Sequence, residues 1–203
     1  MTKIPSTNFK IKSRVSGQER EARVGHRGGV LWFTGLSGAG KSTLAIELER
    51  QLFAKGYSVY VLDGDNLRTG LNADLGYSHT DRTENIRRVG ELAALFADAG
   101  TIAISAFISP YRADRYQARE AAGDTFHEVH VKADVETCEE RDPKDLYRRA
   151  RSGEIPDFTG VSAPYEVPES PDFIVDTAAD DVTKCTDALV AYVEVQFGLV
   201  ADG

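Results

Sequence analysis

The chain has 203 residues, with 24 Lys and Arg against 32 Asp and Glu, a net charge of −8. Hydrophobic and charged fractions of 41% and 28% are those of a single globular domain rather than a disordered chain. The acidic balance excludes a nucleic-acid scaffold, which rests on a basic surface, and leaves room for small anionic ligands held in a local basic pocket.

In chain order, residues 1–28 read as a polar leader, solvated or loosely packed, with no apolar run of the kind a signal peptide carries. Val30-Leu31-Trp32-Phe33-Thr34 predicts a buried strand closed by Gly35. Leu44, Ala45, Leu48 and Leu52 follow at helical spacing over 42–55, and Gly56 stops that helix. A second strand over 58–62 ends in Asp63-Gly64-Asp65. Ile86, Val89, Ala93 and Phe96 stripe a long helix over about 81–99, and Gly100 closes it.

A third strand spans 101–107, and Ser109-Pro110 then predicts a helix with Ser as N-cap and Pro at the first helical position. Strands over 126–132 and 172–176 and a closing helix over about 180–197 complete the pattern. The most apolar stretch, 90–110, is broken by Glu91, Asp98 and Gly100 and cannot span a membrane. Cys138 and Cys185 form neither a disulfide framework nor a zinc pattern, which suits a reducing cytoplasm. His26, His79, His127 and His130 show no ligand spacing.

This alternation predicts an α/β fold with five parallel strands and helices on both faces. The expected domain covers 29–203. Within it, an Arg-rich insertion at about 141–171 is too long for a plain connection and reads as a lid. Arg141, Lys144, Arg148, Arg149 and Arg151 outnumber Asp142 and Asp145 there.

Gly35-Leu36-Ser37-Gly38-Ala39-Gly40-Lys41-Ser42 fits G-x-x-x-x-G-K-[ST] in full, between a predicted strand and a predicted helix. Backbone N–H groups of such a loop cradle phosphates, Lys41 reaches the β- and γ-phosphates, and the Ser42 hydroxyl binds Mg²⁺. The ATP site is therefore expected to run from Gly35 through Thr43. A guanine-reading N-K-x-D is missing, since Val131-Lys132-Ala133-Asp134 lacks the Asn, so a GTPase switch is disfavoured. A small-molecule kinase with a P-loop NTPase-like fold, its kinase domain over 29–203, fits best. A kinase for another small hydroxyl compound and a nucleotide-binding module without turnover are the alternatives.

The acceptor belongs beside the γ-phosphate. Asp63 and Asp65 stand at the carboxyl end of the second strand, where a carboxylate holds Mg²⁺ or takes the proton of an acceptor hydroxyl. Asp63 with Ser42 forms the expected metal pair. Arg68 faces the same cleft, and Arg82 and Asn85 project together at the start of the long helix.

Asp63-Gly64-Asp65-Asn66-Leu67-Arg68, Leu75-Gly76-Tyr77-Ser78, the run from Asp81 to Glu91, Ala106-Phe107-Ile108-Ser109-Pro110-Tyr111-Arg112, Arg141-Asp142-Pro143-Lys144 and the run from Gly153 to Gly160 closely resemble adenylylsulfate kinases, in order, over about 29–177. The resemblance implies transfer of the ATP γ-phosphate to the 3′-hydroxyl of adenosine 5′-phosphosulfate, giving 3′-phosphoadenosine 5′-phosphosulfate. It implies that Arg68, Arg82, Asn85, Asp65, Ile108, Ser109 and Lys144 hold the acceptor, that Tyr77 and Phe158 sandwich its adenine, and that Arg141 contacts the ATP adenine. Stacking of that kind is worth ~1–3 kcal/mol per base. A serine at Ser109 has been assigned as a phosphoserine intermediate in some members, although direct in-line transfer needs none. Lys41, Asp63, Asp65 and Ser109 are thus the catalytic candidates. A homodimer is implied, and any sulfurylase partner would be a separate chain. Departures from the family pattern are Tyr77 for the commoner Phe, Asp145 for Gly, and Lys132 for an acidic residue.

Overall fold

The computed structural model describes residues 13–198. Its five parallel strands are β1 (Gly29–Thr34), β2 (Val59–Asp63), β3 (Ile102–Ala106), β4 (Phe126–Lys132) and β5 (Phe173–Asp176), in the spatial order β2-β3-β1-β4-β5. The helices are α1 (Gly17–Val24), α2 (Lys41–Ala54), α3 (Gly64–Arg68), α4 (His79–Asp98), α5 (Arg112–Ala122), α6 (Val135–Arg141), α7 (Leu146–Arg151) and α8 (Val182–Phe197).

Central β1 is buried along its whole length, so it reads as a continuous apolar run rather than an alternation. Leu31 and Phe33 join Leu44, Leu48 and Leu52 of α2 and Leu189 and Val193 of α8 in one layer. Val30 and Trp32 join Ile86, Val89 and Ala93 of α4 and Ala118 of α5 in the other. Each Val, Leu, Ile or Phe among them contributes ~1.5–3 kcal/mol on burial. Edge strand β2 is only partly covered.

The expected strands appear with ends shifted by a residue or two, and two expectations need correction. The helix after β3 begins at Arg112, with Tyr111 as its N-cap and no side-chain cap bond, so Ser109 does not cap it. The leader is also more ordered than expected. Ser16 and Glu19 form a reciprocal capping box at the start of α1, which satisfies two end donors of a helix with little apolar surface. Val24 and Arg20 of α1 lie against Gly100. His26 is fully buried; its Nε2 accepts from the Ser58 N–H at 2.8 Å, and its Nδ1 therefore donates to the Arg27 carbonyl at 2.9 Å. Residues 1–12 of that stretch lie outside the described residues.

Among the described residues no helix is long and apolar enough to cross a membrane. Both cysteines are free and buried. The segments that follow β1, β2, β3 and β5 leave the carboxyl edge of the sheet, where open parallel sheets bind ligands.

Candidate active site

The loop after β1 turns sharply through Gly38 (φ +79°) and Gly40 (φ +95°). A Cβ at Gly38 would also lie 2.8 Å from the Cys138 carbonyl oxygen, so space and backbone angle both demand glycine. Gly40 caps α2 without a side-chain bond, leaving first-turn N–H groups for an anion. The loop's carbonyls are held from outside. Tyr147 Oη donates to Ser37 O at 2.9 Å, Thr177 Oγ1 to Ala39 O at 2.9 Å, and Arg141 to Gly38 O at 3.4 Å. Arg141 also donates to the Thr177 carbonyl at 2.5 Å.

Lys41 Nζ is buried and donates to the Gly35 and Leu36 carbonyls at 3.0 and 2.7 Å. Desolvation pushes its pKa down to about 8, against the opposing pull of Cys138, Asp63 and Asp65. Ser42 Oγ donates to Asp63 Oδ2 at 2.7 Å. The other Asp63 oxygen accepts from the Asp65 N–H at 2.9 Å and caps α3, so the cap aims the free oxygen at Ser42. Two adjacent hard oxygens at a phosphate cradle fit Mg²⁺, which takes one or two protein ligands and completes its shell with water and phosphate. Among the described residues no cluster of three or more His, Cys, Asp or Glu side chains suits a metal of another kind. Asp65 forms an ion pair with Lys144 across the cleft.

A second group gathers at the start of α4. Ser78 caps this helix, accepting from Asp81 N. Arg68 donates to the Leu75 and Gly76 carbonyls at 3.1 and 3.0 Å, and its guanidinium lies 4.3 Å from the centre of the Tyr77 ring. Arg82 donates to the Tyr77 and Asp157 carbonyls at 2.9 and 3.0 Å and to Thr159 Oγ1 at 3.5 Å. Burial, with Arg68 nearby, pulls the Arg82 pKa below its usual value, while Tyr111 and Asp157 oppose this. Tyr77 is 66% exposed, so it is a cleft residue and not a core aromatic. Asn85 is buried, and its Oδ1 accepts from Asn72 Nδ2 at 2.9 Å. Phe158 is buried with its edge toward Tyr147, ring centres 5.1 Å apart.

Ser109 is 2% exposed at φ +39°. Its Oγ accepts from the Trp32 indole N–H at 3.1 Å, and its carbonyl accepts from Arg115 at 2.7 Å. Ile108, half-buried beside it, accepts through its carbonyl from Thr34 Oγ1 at 2.8 Å. Ser109, Asp145 and Asp157 are non-glycine residues with φ of +39°, +58° and +53°, and strained backbone of this kind tends to collect at functional sites. Asp145 (φ +58°) holds an angle that glycine adopts freely.

Lys41, Ser42 and Asp63 therefore converge on the phosphate loop, while Arg68, Tyr77 and Arg82 converge on α4. The insertion divides between them. Arg148, Arg149 and Arg151 pair outward with Asp145, Glu154 and Glu139, and only Arg141 and Lys144 of its basic residues reach the cleft. Sequence reasoning missed Tyr147 and Thr177 as loop clamps, Thr159 as an Arg82 partner, and Trp32, Arg115 and Asn72 as supports. Thr177 was the findable one, since it directly follows a predicted strand at the ligand edge.

The adenylylsulphate kinase family model matches residues 27–176. An adenylyl-sulfate kinase of Bacillus licheniformis is 54% identical over 186 residues, covering 91% of this chain and 94% of the relative. One from Clostridium acetobutylicum is 53% identical over 183 residues, covering 90% and 92%. Among solved structures, the Mycobacterium tuberculosis APS kinase CysC in complex with AMPPNP and APS superposes with a TM-score of 0.80 at 47% identity, covering 83% of this chain and 98% of that one. With a phosphate cradle at one end of the cleft, paired guanidinium groups at the other, and matches spanning nearly the whole chain, the protein belongs to the adenylylsulphate kinase family.

Proposed function

We propose that this protein transfers the γ-phosphoryl group of ATP to the 3′-hydroxyl of adenosine 5′-phosphosulfate, releasing ADP and 3′-phosphoadenosine 5′-phosphosulfate. The observation that carries this reading is the division of one cleft into a main-chain cradle ending at Lys41 and Ser42, and a guanidinium pair, Arg68 and Arg82, beside Tyr77. A triphosphate suits the first. A phosphosulfate suits the second, because planar multi-donor guanidinium groups match tetrahedral oxyanions.

The chemistry follows from positions. Lys41 leaves its loop carbonyls for the β- and γ-phosphates, neutralising charge that builds in a loose transition state. Ser42 and Asp63 would hold Mg²⁺, which would supply charge to offset that of the phosphate groups. Asp65 accepts the proton of the attacking hydroxyl, with Lys144 as its partner across the cleft. Arg68, Arg82 and Asn85 hold the phosphosulfate, Ile108 flanks the acceptor, and Tyr77 and Phe158 face its base. Arg141, beside the loop, stacks near the ATP adenine, and residues 141–171 close over both nucleotides to exclude water. Ser109 serves the site through its backbone: its Oγ is buried under the Trp32 N–H, and in-line transfer between bound nucleotides leaves it no covalent step.

We further propose a cytoplasmic homodimer, and light scattering of the purified protein tests the dimer. Activity is tested by incubating the protein with ATP, Mg²⁺ and adenosine 5′-phosphosulfate and separating the nucleotides. The expected result is equimolar ADP and the 3′-phosphorylated product. ADP formed with no change in the acceptor, or transfer to other hydroxyl compounds only, overturns the proposal.

A further inference from the structure

We infer that Asn72 is a positioning residue that fixes which end of the Asn85 amide meets the acceptor nucleotide, an inference that rests on the proposed role of Asn85. Asn72 lies in the turn between α3 and α4 and is fully buried. Its Nδ2 donates to Asn85 Oδ1 at 2.9 Å, while its own Oδ1 is buried with no hydrogen-bond partner. Among the described residues nothing accepts from Asn85 Nδ2. Asn85 follows Arg82 by three residues and shares its helix face, so the unpartnered amine end belongs to the cation-lined side of the cleft.

Two orientations of this amide pair satisfy the shared bond. In one, Asn72 donates and its carbonyl oxygen is orphaned. In the other, Asn85 donates to Asn72 and a buried N–H pair is orphaned instead. Orphaned buried N–H groups are the rarer kind, so the pair settles with Asn72 donating. That choice consumes the Asn85 acceptor and leaves its two N–H donors for the ligand. Arg68 and Arg82 are donors only, and Asn85 so oriented makes the third donor of a set matched to an oxyanion. Reversed, Asn85 would turn a carbonyl oxygen toward phosphosulfate oxygens and repel them.

The selectivity of the effect tests this. Asn72→Leu removes the bond at similar volume and frees the Asn85 amide to rotate. The KM for adenosine 5′-phosphosulfate is expected to rise about 3- to 10-fold, the range set by loss of one oriented hydrogen bond, with the KM for ATP changed less than about twofold. Asn72→Ala gives the same measurement if the Leu variant fails to fold. In an Asn85→Ala background, removing Asn72 is expected to add nothing further to the acceptor KM, the coupling two residues acting as a unit must show. A rise of both KM values alike, a fall in kcat alone, or additive effects in the double variant overturns the inference while leaving Asn85 a ligand. If Asn85→Ala itself leaves the acceptor KM unchanged, the assignment of Asn85 to the acceptor site falls, and this inference with it.

Discussion

The two ends of the cleft are built by different means. The proposed donor end is backbone: a loop whose carbonyls are gripped by Tyr147, Thr177 and Arg141, on the amino end of a well-packed helix. The proposed acceptor end is side chain: Arg68, Arg82 and Lys144 reach across gaps to carbonyls and to Asp65. A shape fixed by backbone depends on glycine and buried packing, and tolerates change at few positions. A shape fixed by long side chains is tuned residue by residue, and its partners are exchanged when a ligand arrives.

The sharpest way to break this contrast is Lys41→Ala. Turnover is expected to fall by about 10³-fold, the scale of one lost preorganised donor, with thermal stability little changed because the lysine is buried at a desolvation cost. Retained turnover would remove the donor end from the chemistry. Next in size, Arg82→Ala should raise the acceptor KM about 10- to 100-fold, from loss of charge-assisted hydrogen bonds, with the ATP KM nearly unchanged in steady-state kinetics. Equal losses for both nucleotides would erase the division.

Protonation sharpens it further. Free Lys41 titrates at about 8, and bound phosphates raise that value, so ATP binding captures a proton once the pH exceeds 8. The ATP KM is expected to rise about tenfold between pH 7 and pH 9, as the charged fraction of one such group falls. Calorimetry in buffers of differing ionisation heat reads the proton directly, and a flat profile contradicts the burial argument. The smallest effect belongs to Ser109→Ala. Turnover should stay within about threefold, no phosphoenzyme should form, and stability should drop by ~1–2 kcal/mol in denaturant titrations as the Trp32 N–H loses its acceptor. Loss of turnover with stability intact would revive the covalent route.

The same contrast explains what was legible in the sequence. The phosphate loop, the strands and the pairing of Ser42 with Asp63 are local signals: glycines at fixed offsets, apolar runs, a carboxylate at a strand end. The acceptor side depends on separations of dozens of residues, such as Arg82 to Asp157 or Trp32 to Ser109, which periodicity does not encode. Motif resemblance named Arg82 and Ser109 but not what holds them. The Ser-Pro pair misled because the chain needs a left-handed turn at Ser109 before the helix can start. Conversely, Ser16 and Glu19 already spelled a capping box in a stretch read as loosely packed.

The partners of Arg68 and Arg82 carry one last consequence. Both donate to carbonyl oxygens, and among the described residues neither forms an ion pair, whereas Arg88, Arg115, Arg119 and Arg151 are matched by carboxylates. Their charge is oriented yet not cancelled. In a protein of net charge −8 these two uncancelled charges favour positive potential at one mouth, which under the proposed assignment would draw a doubly charged nucleotide out of a field that otherwise repels it. Capture of that nucleotide slows as added salt shortens the reach of the field to ~8 Å at 0.15 M ionic strength.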